Sequence, residues 1–241
     1  MKQSFTIKQF EIHPERCALK VGTDGVLLGA WAHVAHCQRI LDMGTGTGLV
    51  ALMAAQRSKA DIVAIDLDAD AVAQAAENAA LSPWGNRIQV LEADARTLSD
   101  AAADTAHSTL PFDAILCNPP FFENSLKCPD SARTMARHTD TLSFDELARS
   151  ASRLLSDQGE LSVVIPYDRA HDMTVSAACC GLFATRQTIV VPVKGGKPKR
   201  MLMSFTREGA AHATETLYIQ DEDRHYTQEY VRLVEDFYLK L

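Results

Sequence analysis

The sequence of 241 residues contains no uninterrupted apolar stretch approaching the ~20 residues that a membrane-spanning helix needs. Its opening, Met1-Lys2-Gln3-Ser4-Phe5-Thr6-Ile7-Lys8, lacks the apolar run of a secretory signal. Membrane insertion and export are therefore not expected, and a cytoplasmic location is. The six cysteines (Cys17, Cys37, Cys117, Cys128, Cys179, Cys180) never form a C-x-x-C pair, so reduced thiols are expected rather than a zinc site or a disulfide frame. The histidines offer no metal-ligand cluster, and no metal is expected. There is no internal repeat and no low-complexity linker. Positive charge is also in short supply: 24 Lys and Arg against 31 Asp and Glu leave a net charge of -7, which argues mildly against a protein that coats nucleic acid.

What is present reads as one ordinary globular unit. With 46% hydrophobic and 23% charged residues, the chain can bury a sizeable core but is short for two full domains. Short apolar runs alternate with amphipathic segments, the pattern of a parallel α/β sheet. Strands are expected at Ile40–Met43, Ile62–Asp66, Ile88–Leu91, Ala114–Cys117 and Leu161–Ile165, the last stopped by Pro166. Helices are expected from Thr23 to about His36, after the glycines at 44–48, and from Asp70 to about Ala80. Ser143-Phe144-Asp145-Glu146 fits a capping box opening another helix, with Gly159 ending that region. Two further strands, Thr188–Val191 and Leu202–Phe205, are joined by a stretch too short for a crossover helix and should be antiparallel neighbours. The expectation is a doubly wound, mostly parallel seven-stranded sheet with one antiparallel strand.

Asp42-Met43-Gly44-Thr45-Gly46-Thr47-Gly48 sits where a strand turns into a helix, and glycines suit a backbone that a ligand must approach closely. A structural turn would read alike, and nicotinamide or flavin binding is a rival. The spacing is G-x-G-x-G, however, with Leu49 where a dinucleotide pattern wants a small residue. Asp66 ends the next strand, twenty residues after Gly46, where a carboxylate can accept hydrogen bonds from both hydroxyls of a ribose; a helix cap is the alternative. Asp94, after the third strand, could accept from an adenine amino group or cap a helix. Together these favour an adenosine-containing ligand.

The fourth strand runs into Asn118-Pro119-Pro120-Phe121-Phe122, and ligands of open α/β sheets lie outside the carboxyl ends of the strands. An exocyclic amino nitrogen is a poor nucleophile because its lone pair is delocalised into the ring. Two acceptors aimed at its two hydrogens, the Asn118 side-chain oxygen and the Pro119 carbonyl, would free that lone pair for in-line attack on a sulfonium methyl. Consecutive prolines fix φ and hold the carbonyls in a set direction, so the dipoles are preorganised. Phe121 can stack on a flipped-out base, or Phe121 and Phe122 can serve as core packing.

These residues, in this order, resemble the class I S-adenosylmethionine (SAM)-dependent methyltransferases that modify amino groups. More closely, the chain is similar to the bacterial family that methylates N6 of the adenine 3′ of the anticodon, adenine 37, in a valine tRNA. The likeness extends over Phe5-x-x-Lys8-x-Phe10, Lys20 to Trp31, Ile40 to Met53, Ser82-Pro83-Trp84, Asn118 to Phe122, Ala136-Arg137-His138-Thr139, and the tail from Tyr226 to Leu239. Met43 and Ala69 depart from the commoner β-branched residue and proline. The resemblance implies a Rossmann-like fold and SAM as cofactor. It implies that Asp42, Gly44, Thr45, Gly46 and Gly48 hold the methionine end, Asp66 the ribose and Asp94 the adenine. Lys20, Thr23 and Asp24 would close the pocket, and Asn118, Pro119, Pro120 and Phe121 would form the catalytic loop. Residues 1–36 would then be an arm and helix capping the cofactor site, and 37–241 the catalytic core.

The tRNA partner gives one window of sequence a meaning. From Arg186 to Arg207 there are six basic residues (Arg186, Lys194, Lys197, Lys199, Arg200, Arg207) and no acidic one. Lys194, Lys197, Lys199 and Arg200 should emerge beside the target pocket and meet phosphates of an anticodon stem-loop, although a solvated hairpin face would look the same. Arg137 and His138 are further candidates for RNA contact, with plain solvation as the alternative. No DNA or membrane partner is expected, and a monomer is. Guanine N2 methylation of ribosomal RNA and a catalytically inert SAM- and RNA-binding protein are the rival readings.

Overall fold

The computed structural model describes residues 4–16, 22–98, 111–119, 142–209 and 213–240. The arm begins with a two-stranded antiparallel ribbon, β1 (Phe5–Thr6) and β2 (Glu11–Ile12); its Ile12 and the flanking Ile7 and Phe10 are buried against the main core. Helix α1 (Thr23–Trp31) follows. It ends five residues short of the expected His36, because Ala32 turns to extended backbone and Arg57 donates hydrogen bonds to the carbonyls of Gly29 (2.7 Å) and Ala32 (2.8 Å). The exposed carbonyls of a helix end need such partners. Here they come from a residue far along the chain.

Next come β3 (Arg39–Met43), α2 (Leu49–Arg57), β4 (Asp61–Asp66), α3 (Ala69–Leu81) and β5 (Ile88–Glu92). After β6 (Phe112–Cys117), the capping box forms at α4 (Phe144–Leu154): the Ser143 hydroxyl accepts from the Glu146 amide, and the Glu146 carboxylate accepts from the Ser143 amide. The remainder is β7 (Leu155–Pro166), α5 (Ala170–Cys179), β8 (Phe183–Val193), β9 (Arg200–Thr206), β10 (Ala213–Gln220) and α6 (Gln228–Val234). Gly159 lies inside β7 rather than ending the helical region. A Cβ there would stand 2.8 Å from the Phe112 carbonyl, beside the irregularity between β6 and β7.

The sheet runs β10-β8-β9-β7-β6-β3-β4-β5, and β9 alone opposes its neighbours. It has one strand more than expected, the edge strand β10. Successive residues of a strand face opposite sides. Thus Ile40, Ile62, Ala114 and Leu116 pack with α1, α2 and α6, while Leu41, Val63, Ile115 and Val163 pack with α4 and α5. Burial on both faces explains why the central strands read as continuous apolar runs. From β3 the chain winds outward through β4 to β5 and then returns to lay β6 on the other side of β3. That reversal creates a crevice at the carboxyl ends of β3 and β6. Among the described residues, no helix is long and apolar enough to cross a membrane.

Candidate functional site

Register brings the motifs to one level. Met43 is paired with both Ile65 and Cys117, and Asp66 with Glu92, so Gly44, Leu67, Ala93 and Asn118 each begin the segment that leaves the sheet. With strands ~4.8 Å apart, four adjacent strand ends span about 14 Å. The cleft above them is lined by Met43, Gly44, Gly46, Ile65, Asp66, Leu67, Ala93, Asp94, Ala95, Arg96, Cys117, Asn118, Pro119 and Leu142.

The glycine turn has alternating left-handed residues, with φ of 71° at Gly44, 55° at Gly46 and 82° at Gly48, the last capping α2. At Gly44 and Gly46 a Cβ would meet no atom within 4 Å, so these positions open onto free space. The Gly44 and Thr45 amides both donate to the Ile65 carbonyl at 2.9 Å, fastening the turn to β4. Asp42 does not line the cleft. It is buried behind the turn, where one carboxylate oxygen accepts from the Thr45 hydroxyl (2.6 Å) and from the Ala51 amide in the first turn of α2 (3.1 Å). Burial pushes its carboxyl up to about 7, against the lowering by those two hydrogen bonds, and the nearby charge of Asp66 adds to the rise. Asp42 therefore shapes the turn from behind.

Asp66 faces the cleft. It accepts from the Gly46 amide at 2.8 Å on one oxygen and from the Asp68 amide at 3.1 Å on the other. A carboxylate offers about four lone-pair sites, so acceptor capacity remains. Capping of α3 falls to Asp68. Asp94 is gripped side-on by Arg96, with Nε 2.9 Å from each oxygen and Nη2 2.7 Å from Oδ2. Asn118 is half-buried and Pro119 buried. A Cβ on Gly25 would lie 3.0 Å from Leu49 Cδ2 and 3.8 Å from Asn118 Nδ2, so the absence of a side chain there lets α1 close over the Asn118 amide and the start of α2. Lys20, Pro120, Phe121, Arg137 and His138 lie outside the described residues.

The basic window separates into residues with and without internal partners. Arg186 lies over the Trp31 ring at 3.9 Å and donates to the Trp31 carbonyl. Arg207 donates to the carbonyls of Ser152 and Leu155. Both are architectural. Arg200 and Lys194, expected to meet phosphate, have carboxylate partners: Arg200 Nε is 2.7 Å from Asp24, and Lys194 Nζ is 3.4 Å from Glu222. Lys197 and Lys199 are exposed. Because β8 ends and β9 begins at the edge where β7 ends, this turn emerges on the same side of the sheet as Asn118. Thr23 is exposed at the start of α1, and Asp24 is held by Arg200 instead of standing open to the pocket.

Sequence reasoning missed Leu67, Arg96 and Leu142 in the cleft wall. Leu67, an apolar residue 47% exposed directly after Asp66, had a legible signal in its place after a strand. Arg96 had one too, two residues beyond an assigned carboxylate. Leu142 had none.

The geometry agrees with what the chain is similar to. The model of the methyltransferase small domain matches residues 21–178. A Bacteroides fragilis protein named tRNA1(Val) (adenine(37)-N6)-methyltransferase is 47% identical over 237 residues, covering 98% of each chain. A Haemophilus influenzae protein of the same name is 44% identical over 238 residues, again covering 98% of each. Among solved structures, one described as a predicted O-methyltransferase from Agrobacterium tumefaciens superposes with a TM-score of 0.66. It has 21% identity and covers 89% of this chain and 96% of that one, a likeness of fold.

Proposed function

Because the chain belongs to the family of tRNA1(Val) (adenine(37)-N6)-methyltransferases, we propose that it transfers a methyl group from SAM to N6 of adenine 37 in a valine tRNA. The observation that carries this reading is the position of Asn118-Pro119 at the sheet's switch point, in one cleft with the glycine turn and Asp66. The residues fit the cofactor on two counts. Gly44 and Gly46 leave open space where any side chain would intrude, and Asp66 and Asp94 supply acceptors for a ribose and an adenine amino group. When bound, SAM supplies an electrophilic methyl on a sulfonium.

The work of the chain is to bind, orient and polarise. Gly44, Thr45, Gly46 and Gly48 carry the methionine end, with Asp42 bracing them from behind; Asp66 holds the ribose and Asp94 the adenine. The Asn118 oxygen and the Pro119 carbonyl accept hydrogen bonds from the two N–H groups of the target amine. This draws its lone pair out of conjugation and aims it into the cleft. No strong base is required, since the surplus proton leaves after transfer. Pro120 stiffens the loop, and Phe121 stacks on the target base. Lys20, Thr23 and Asp24 close the pocket from the arm side. An anticodon loop is single-stranded, so extruding its base costs less than from a duplex.

Phosphates of the anticodon stem-loop meet Lys197 and Lys199 first; Lys194 and Arg200 join after leaving Glu222 and Asp24, and Arg137 and His138 remain candidates for RNA contact. Residues 1–241 act as one domain, the arm and α1 capping a core that starts near residue 37. The burial of Ile7, Phe10 and Ile12 in the main core supports that unity. The protein works as a cytoplasmic monomer, on tRNA and not on DNA or a membrane.

The test is direct: incubate the protein with SAM and tRNA from a strain lacking the modification, then analyse nucleosides by mass spectrometry. N6-methyladenosine confined to valine tRNA is expected. N2-methylguanosine, or no methylated nucleoside, would overturn the proposal.

A further inference from the structure

Asp94 and Arg96 form an arrangement inside the cleft that no motif requires. The bidentate contact of the guanidinium occupies one site on each carboxylate oxygen: Nε lies 2.9 Å from Oδ1, and Nη2 2.7 Å from Oδ2. The Arg96 backbone amide, also at 2.9 Å, takes a second site on Oδ1. Nε is equally 2.9 Å from Oδ2, so its one N–H is shared between the two oxygens. Three N–H groups thus serve a carboxylate with roughly four lone-pair sites, which leaves capacity for one more donor. Arg96 is itself held from behind. Its Nη1 lies 3.4 Å from Glu146 Oε1, and the other Glu146 oxygen accepts from the Ser143 amide and hydroxyl in the capping box of α4. Hydrogen bonding from the Arg96 side chain, with smaller help from its backbone and charge, holds the Asp94 carboxyl below the usual carboxylate range. Asp94 is thus ionised, fixed in plane, and able to accept but not donate.

We propose that Arg96 is a positioning residue that makes the adenine end of the cofactor site selective for a base bearing an exocyclic amino group. The single acceptor site it leaves on Asp94 suits one N–H of adenine. A 6-oxo base would set oxygen against oxygen. The inference rests on the reading of Asp94 as the adenine acceptor and adds the residue that gives that acceptor its direction. Leaving a charged acceptor without its donor is costly, and hydrogen bonds to charged groups are among the stronger ones. Discrimination of about 10- to 100-fold is expected.

The experiment is calorimetric titration of the full chain with S-adenosylhomocysteine and with its 6-oxo analogue, S-inosylhomocysteine. The wild type should prefer the adenosyl compound by about 100-fold. Arg96→Met should lose about tenfold on the adenosyl compound and little on the inosyl one, lowering the ratio to about tenfold. Arg96→Lys should recover only part of it, because an ammonium cannot form the planar fork. Arg96 is 35% exposed, so these variants should fold, and thermal melts verify it. A wild-type ratio in Arg96→Met, or equal weakening of both ligands, would overturn the proposal. Asp94→Ala locates the fault. If it abolishes the preference while Arg96→Met keeps it, only the role of Arg96 fails. If Asp94→Ala also keeps it, the assignment of Asp94 to adenine is wrong.

Discussion

Replacing Asp42 by asparagine should change the pH dependence of stability in a calculable way. The carboxyl is buried behind the glycine turn, and its folded value is about 7 against an ordinary 3.8. A raised folded value means that the native state holds the proton more tightly than the unfolded chain. Below about pH 4 both states are protonated and the group contributes no pH slope. Between about pH 4 and 7 the unfolded chain has released its proton while the native protein keeps it. Stability then falls as pH rises, by about 1.4 kcal/mol per unit, and the loss is complete above 7. From pH 5 to 8 the wild type should lose roughly 3 kcal/mol through this group. The asparagine side chain of the variant cannot titrate, and its amide oxygen can still accept from Thr45 and Ala51. Urea unfolding of both proteins at pH 5 and pH 8 isolates the effect, since other titrating groups cancel in the difference. The variant should gain roughly 3 kcal/mol on the wild type between those pH values. An equal difference at both would show that Asp42 ionises at its ordinary value and that its burial is not as described.

Two other perturbations probe the frame and the RNA face. A Cβ on Gly29 would stand 2.7 Å from Met53 Sδ and 2.9 Å from Met53 Cβ, so Gly29→Ala should force α1 from α2. A cost of about 1–3 kcal/mol, read by scanning calorimetry as a melting point lower by roughly 3–10 °C, is expected; an unchanged melting point would deny that close packing. Replacing Lys197 and Lys199 together by alanine should weaken tRNA binding and reduce the slope of log Kd against log salt by roughly one to two, with cofactor affinity intact. An unaltered slope would remove this turn from the phosphate path.

The fold was legible where burial left a local trace. Strands β3 to β6 and the Leu161–Ile165 part of β7 are short apolar runs, and the α4 capping box is a four-residue signal read correctly. The edge strand β10 escaped because it buries little beyond Leu217, so its apolar pattern is thin. The end of α1 escaped because Arg57, twenty-five residues beyond Ala32, decides it. In the site, the glycine turn, Asp66, Asp94 and Asn118 could be placed from sequence because each lies at or just beyond the end of a strand and all parallel strands end at one edge. The internal partners within the basic window were not legible. Composition cannot distinguish Arg186, laid on Trp31, or Arg200, held by Asp24, from an exposed Lys197. The side-on grip of Arg96 on Asp94 depends on rotamers that no spacing encodes.

A comparison of Asn118→Ala with the wild type, by single-turnover methylation of valine tRNA and by calorimetry with S-adenosylhomocysteine, goes to the centre of the mechanism. Loss of one of two acceptors on the target amine should slow methyl transfer by about 100- to 1,000-fold, while the homocysteine ligand binds within a few-fold of the wild type. Transfer within tenfold of the wild type, or affinity for that ligand lost in step with the rate, would contradict the account.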